Sequence, residues 1–263
     1  MPGPVVALLT DFGLSDAYVG ILHGVLARLA PEAKVIDLCH GVTPGDLREG
    51  AHLLGSALGY LPSQTVFLAV VDPGVGTDRR VLALEADRGR FVAPDNGLMA
   101  EVLEAGQVRS LVSVERPDLY LGGASRTFHG RDVMAPVAAA LARGEQLSEM
   151  GPEVADPVAL PRLWAREADD AIEASVIHVD RFGNLVTNLR TEALLAWLGT
   201  SEPEVRVADV TVRGLVATYR DAPPGTLIAL PGSSGRLEIS VTGGSALDLL
   251  GVNPRVGLTV RRL

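Results

Sequence analysis

The run Val66-Phe67-Leu68-Ala69-Val70-Val71 constrains the fold more than any other feature of the chain. A half-exposed strand alternates apolar and polar residues. An unbroken apolar run rich in valine suits a strand covered on both faces, as in a parallel sheet layered with helices. The flanking pattern agrees. Residues 4–10 read as a strand, and "DAYVGILHGVLARLAP" as an amphipathic helix that Pro31 ends. "KVIDL" is the next strand and "PGDLREGAHLLGSALGYLP" the next helix. Short strands follow at "VLALEA" and "GRFVAP", with helices at "GLMAEVLEAG" and "VMAPVAAALARG". Strands alternating with helices predict an α/β fold, here an N-terminal α/β domain over residues 1–155 with a largely parallel central sheet.

The texture then changes. "GPEVADPVALPRLW" is Pro-rich and aperiodic, and a linker is expected over 156–170. From 171 to 263 the chain breaks into short β-rich runs: "IEASVIHVD", "LVTNL", "EVRVADVTVRGLVATY", "TLIALPG", "RLEISVTG" and "VGLTVRRL". One helix, "TEALLAWLG", interrupts them. That spacing predicts a smaller C-terminal all-β barrel domain.

Composition excludes several classes. With 32 acidic against 23 basic residues the formal net charge is -9, and no basic run stands out. Nucleic acid is therefore not an expected partner. No apolar stretch reaches membrane-spanning length, and "MPGPVVALLTDFG" carries neither a basic region nor a cleavage site, so no membrane is expected and the expected location is cytoplasmic. Cys39 is alone and reads as a small buried hydrophobe. His23, His40, His52 and His178 read as packing residues; no spacing of histidines and carboxylates suggests a metal, and none is expected.

Five segments carry chemistry-bearing residues. In "TDFGLSDAY", Asp11 stands just past the first strand, where a carboxylate can accept both hydroxyls of a ribose; Asp16, at the following helix start, suits a helix cap as well as a ligand. In "VVDPGVGTDRR", Asp72 ends the apolar run and precedes a Gly turn and two arginines, without the Gly-Lys-Ser/Thr of a phosphate loop. An ion pair with Arg79 or Arg80 that pins the loop is the plain alternative. In "TFHGRD", His129 follows an aromatic residue and precedes a flexible glycine. In "HVDRFGNLVTNL", Asp180, Phe182 and Asn184 form either an Asx turn or a set that stacks on a base and bonds its edge. In "LPGSSGRLEISVTGG", Ser233 and its neighbours offer hydroxyls and N–H groups to an anion.

Together with "PDNG", these segments resemble, in order, the motifs of the S-adenosylmethionine hydroxide adenosyltransferase family, whose relatives include fluorinases and chlorinases. The resemblance runs nearly the whole chain. It implies an N-terminal α/β domain, a C-terminal β-barrel and a homotrimer with sites shared between subunits. The expected activity is hydrolysis of S-adenosylmethionine to adenosine and methionine, with no cofactor. Asp11 would hold the ribose diol, and Asp16 and Asp180 the methionine ammonium. Phe182 and Asn184 would face adenine, Ser233 the methionine carboxylate, and Glu238, Val241 and Gly243 the remaining wall. Asp72, Arg79 and His129 would form the polar triad of the hydrolytic members.

A sulfonium leaves without needing a proton, so catalysis reduces to aiming a water opposite the C5′–S bond and excluding competing solvent. Asp72 would orient that water, Arg79 fix the carboxylate and His129 relay a proton. Two other readings stand beside this one. A 5′-halogenase would want neutral donors where Asp72 puts a negative charge. A sensor would bind the same ligand without turning it over.

Overall fold

The computed structural model describes residues 3–123, 125–161 and 164–263. It comprises two compact units, Met1–Pro161 and Arg162–Leu263. Arg162 and Leu163, in the Pro-rich stretch, lie outside the described residues.

The first unit is built on strands β1 (Val5–Thr10), β2 (Lys34–Cys39), β3 (Val66–Val70), β4 (Val81–Ala86), β5 (Gly89–Pro94) and β6 (Val108–Ser113). Their order across the sheet is β2-β1-β3-β5-β4-β6. The four strands β2, β1, β3 and β5 run parallel, while β4 pairs antiparallel with both β5 and β6. All five residues of β3 are buried, as the apolar run requires. Val66, Leu68 and Val70 join the core under helices α1 (Tyr18–Leu29) and α4 (Ala135–Ala142). Phe67, Ala69 and Val71 point the other way, into the core shared with α2 (Leu47–Ala57) and α3 (Ala100–Glu104). Each large side chain buried this way contributes about 1.5–3 kcal/mol.

The strand order places the site. From β1 the chain crosses to β2 on one side and then to β3 on the other, so the order reverses at β1 and opens a crevice beyond its carboxyl end. Thr10 pairs with Val70 in register, which brings Asp11 and Asp72 to the same end of adjacent strands.

Sequence and structure differ in several elements. β6 was not foreseen, because "VRSLVS" is half exposed and lacks a clear run. The helix expected at "VMAPVAAALARG" begins earlier, with a π-helical turn at Gly130–Met134. Asp16 does not cap α1: the N-cap is Ala17, with no side-chain cap bond. Cys39 is half-buried rather than fully buried, on the edge strand β2. Residues 152 and 154 pair with β6, with Ser113 N–H donating to Pro152 O (2.9 Å) and Val154 N–H to Leu111 O (2.9 Å), inside the stretch expected to belong to the first domain.

The second unit is an antiparallel, nearly closed barrel-like sheet, ordered β11-β10-β14-β8-β9-β13-β12 with β7 paired to β8. These strands are β7 (Arg166–Ala168), β8 (Ala171–Val179), β9 (Leu185–Arg190), β10 (Pro203–Val207), β11 (Val210–Arg213), β12 (Leu227–Pro231), β13 (Arg236–Val241) and β14 (Gly257–Arg262). Val216 N–H donates to Ala229 O (3.0 Å), drawing the chain after β11 toward β12. The expected helix α5 spans Thr191–Leu198, and a short α6, Ala246–Leu250, was not foreseen. The long run "EVRVADVTVRGLVATY" is two strands, and from Gly214 the chain turns into a loop.

Candidate active site

Loops after β1 and β3 and the π-helical turn converge on a cavity of about 330 Å³. Asp11, Asp72, Val75, Phe128 and His129 are among the residues that line it. The loop after β1 is held by hydrogen bonds to the segment that follows β2 and by aromatic packing. Asp11 Oδ2 accepts the Gly45 N–H (2.8 Å), and Gly13 N–H donates to His40 O (2.7 Å). Phe12, Tyr18 and Phe128 pack mutually, with centroids 5.3–5.8 Å apart, joining the first loop to the turn that carries His129. Gly45, Phe12 and Tyr18 were not singled out from sequence; the aromatic pair inside "TDFGLSDAY" was the available signal.

Asp72 and Arg79 form a bidentate pair. Arg79 Nε donates to Asp72 Oδ1 (2.6 Å), and a second guanidinium nitrogen donates to Oδ2. The Arg79 and Asp72 side chains are only 8% and 6% exposed, so this is a buried ion pair and not the exposed one that the loop sequence suggested. Arg79 also reaches His129 Nδ1 (3.1 Å). The structure thus brings Asp72, Arg79 and His129 into one connected group. Arg80 points elsewhere, to Asp95 and Asp156. Gly76 makes the arrangement possible: its φ is +82°, and any Cβ would collide with the Arg126 carbonyl of the segment leading to His129.

Because Nδ1 accepts from Arg79, a neutral His129 ring carries its proton on Nε2. Burial, and then the Arg79 charge, push the His129 pKa below its ordinary value of 6.5. Protonation would remove the acceptor and set two cations side by side. Turnover is therefore expected to fall on the acid side, with a midpoint below 6.5, whereas His129→Asn should show no such limb. A kcat–pH profile of both proteins checks this, and an identical limb in the variant would remove His129 from the titration. Stability should follow the same sign. The lowered folded pKa means that the unfolded chain protonates first, so the contribution of this group is lost as pH falls below about 6.5.

Except for Asp16, the remaining candidates lie on the second unit. Asp180 closes an Asx turn: Oδ1 accepts the N–H groups of Phe182 and Asn184 (2.9 Å each), and Oδ2 accepts the Asn184 amide (2.8 Å). Gly183, at φ +82°, allows Ser245 to approach this turn closely. Asn184 is buried, while Phe182 is held 76% exposed at the tip. Asn188, nearby in sequence, instead supports the sheet by accepting the Ser175 N–H (2.9 Å). Ser233 is exposed in the hairpin between β12 and β13, closed by Gly232 N–H to Arg236 O (2.8 Å). Val241 is buried at the end of β13, and Gly243 follows with φ +70°.

Glu238, on β13, is buried and accepts from the Tyr219 hydroxyl (3.1 Å). Tyr219 was missed because its segment reads as strand, whereas it belongs to the loop after β11. Burial raises the Glu238 pKa, and the Asp180 charge raises it further against the lowering effect of the Tyr219 bond. A raised carboxyl favours folding below its unfolded pKa and loses that contribution as pH rises. Glu238→Gln should therefore melt near wild type at pH 4 and about 2–4 °C above it at pH 8, read by calorimetry. An equal difference at both pH values would contradict this.

Asp16 is exposed. Among the described residues, no group of three or more His, Cys, Asp or Glu could hold a metal ion, and no helix is long and apolar enough to cross a membrane.

Residues 6–151 match the SAM hydroxide adenosyltransferase N-terminal domain, and residues 174–259 its C-terminal domain. Four curated relatives, 33–47% identical over 95–98% of this chain, are named (R)-S-adenosyl-L-methionine hydrolase; that of Salinispora arenicola is 47% identical over 95% of both proteins. A fluorinase of Nocardia brasiliensis is 27% identical over 71% of each. The crystal structure of an uncharacterized conserved protein from Thermotoga maritima superposes with a TM-score of 0.90 at 34% identity, covering 98% of this chain and all of that one. The chain belongs to the SAM hydroxide adenosyltransferase family.

Proposed function

We propose that this protein hydrolyses S-adenosyl-L-methionine to adenosine and L-methionine, and that its substrate is the (R) sulfonium epimer named for the hydrolase relatives. The observation that carries the reading is the connected Asp72–Arg79–His129 group, whose Asp72 and His129 line the cavity. Water oxygen attacks C5′, the C5′–S electron pair leaves with methionine, and one water proton is released. Arg79 takes one lone pair on each Asp72 oxygen, and each oxygen keeps another with which to accept from the water. His129 approaches as a donor through Nε2–H, so its depressed pKa suits it to orientation better than to the proton relay expected from sequence.

In this reading Asp11 holds the ribose diol, and Asp16 and Asp180 face the methionine ammonium. Phe182 and Asn184 meet the adenine, Ser233 the methionine carboxylate, and Glu238, Val241 and Gly243 complete the wall. Asp180 has a scaffold role in its Asx turn whatever it binds. The second set of residues would come from a neighbouring copy in a homotrimer, the assembly that the family resemblance implies.

Halogenation at the same carbon is the second reading, favoured by the fluorinase relative and opposed by the Asp72 carboxylate at the cavity. Incubation of each epimer in isotopically labelled water, with and without halide, separates the outcomes by mass spectrometry. Label in the adenosine 5′-hydroxyl, faster from the (R) epimer, is expected. A 5′-halo nucleoside, or ligand bound but unchanged, would overturn the hydrolase reading.

A further inference from the structure

The "PDNG" segment has no part in the site as described, yet its side chains reach the residues that flank the ion pair, Val71 before Asp72 and Arg80 after Arg79. Asn96 Nδ2 donates to the backbone carbonyl of Val71 (2.9 Å), the residue immediately before Asp72. Its Oδ1 accepts the Leu98 N–H (3.1 Å), which fixes the amide orientation. Asp95, 6% exposed, holds Arg80, the residue after the other partner. Its backbone N–H donates to Arg80 O (3.0 Å), and its Oδ2 accepts from Arg80 Nε (2.7 Å). That same Arg80 carbonyl accepts from Arg79 Nη1 (3.5 Å). The other Asp95 oxygen accepts the Val158 N–H (2.8 Å), so the clamp itself is anchored.

Two neighbouring residues on one turn therefore fix the chain just before Asp72 and just after Arg79. We propose that Asp95 and Asn96 are positioning residues for the hydrolysis, setting the Asp72–Arg79 pair relative to the cavity without touching substrate. A carboxylate that aims a water is sensitive to small displacements, whereas the ribose, base and methionine contacts lie elsewhere. Loss of the brace should then slow the chemical step and spare binding. The proposal rests on the reading of Asp72 as the group that orients water.

The test compares Asn96→Ala, Asp95→Asn, Asp72→Asn and the Asp72→Asn/Asn96→Ala double variant in single-turnover hydrolysis, with binding by calorimetry and folding by thermal melts. Asp95→Asn keeps size and one acceptor but cannot accept from Arg80 at the second position, so it serves if Asn96→Ala folds poorly. Each brace variant should lose roughly tenfold in rate with affinity within about twofold. In the Asp72→Asn background Asn96→Ala should add little, because the group it aims is gone. An unchanged rate, or the same tenfold loss in both backgrounds, would overturn the proposal. If Asp72→Asn itself turns over normally, the reading of Asp72 fails, and the ring nitrogen resonances of His129 in isotope-labelled protein decide the positioning claim. A brace variant that shifts His129 through Arg79 while leaving His23 and His40 in place supports it; no shift overturns it.

Discussion

Asp72→Asn is expected to slow the chemical step by roughly a hundredfold or more while S-adenosylmethionine binds nearly normally. The substitution keeps the side chain's size and one acceptor oxygen but removes the charge and half of the bidentate contact with Arg79. It is also expected to destabilise. Both side chains of the pair are nearly buried, and removing one partner of a buried pair costs about 3–5 kcal/mol. A lowered melting temperature alone therefore does not return Asp72 to the scaffold, as it would for an exposed pair. The decisive measurement is single-turnover hydrolysis well below the variant's melting temperature, beside calorimetric binding. Arg79→Ala should show losses of the same class, and the double variant should be little worse than either single one, since the two act as a unit. Near-normal turnover by folded Asp72→Asn would sink the assignment.

Mixing two inactive variants should restore activity if sites are shared between subunits. Asp72→Asn damages the first unit and leaves the second intact; Asn184→Ala does the reverse. Their losses differ in kind. The first is expected to be a slow chemical step, and the second, on the proposed contact of Asn184 with adenine, weakened binding. After subunit exchange at equal amounts, each shared site draws its two halves independently, so about a quarter of the sites regain both intact residues. Activity should rise from near zero to about that fraction, and covalent cross-linking before mixing should prevent the rise. No recovery after verified exchange, or full wild-type turnover by a monomeric preparation, would place the site within one chain.

Much of the first unit was legible because its information is local. The run ending at Val71 announced a strand covered on both faces, and β3 is buried throughout. Asp11 and Asp72 stood out because a carboxylate directly after an apolar run has no packing purpose. A pairing of Asp72 with Arg79 or Arg80 was readable as well, since a Gly turn and only seven or eight residues separate them, and the structure pairs it with Arg79. The misses have equally local causes. β6 is half exposed and without clear alternation, α6 is a single short turn of helix, and the strand expected through Tyr219 ends at Arg213 because Gly214 takes a positive φ.

Most of the elements, the two textures of the chain and the chemical inventory could be read directly, because periodicity and turn chemistry act over a few residues. Which of those residues meet was settled by the folded chain. His129 reaches Arg79 across 50 residues of chain, and it does so because β1 and β3 are neighbours and Gly76 admits the backbone leading to the π-helical turn. Burial was decided there too: the same two charges are an ordinary loop pair in sequence and a pair with nearly buried side chains in the fold. Asn96 had no readable role at all, since its partner is a backbone carbonyl 25 residues away, and a carbonyl carries no mark of its residue type. Contacts between distant segments depend on strand order and register, and those are fixed by the packing of the whole sheet rather than by any stretch of it.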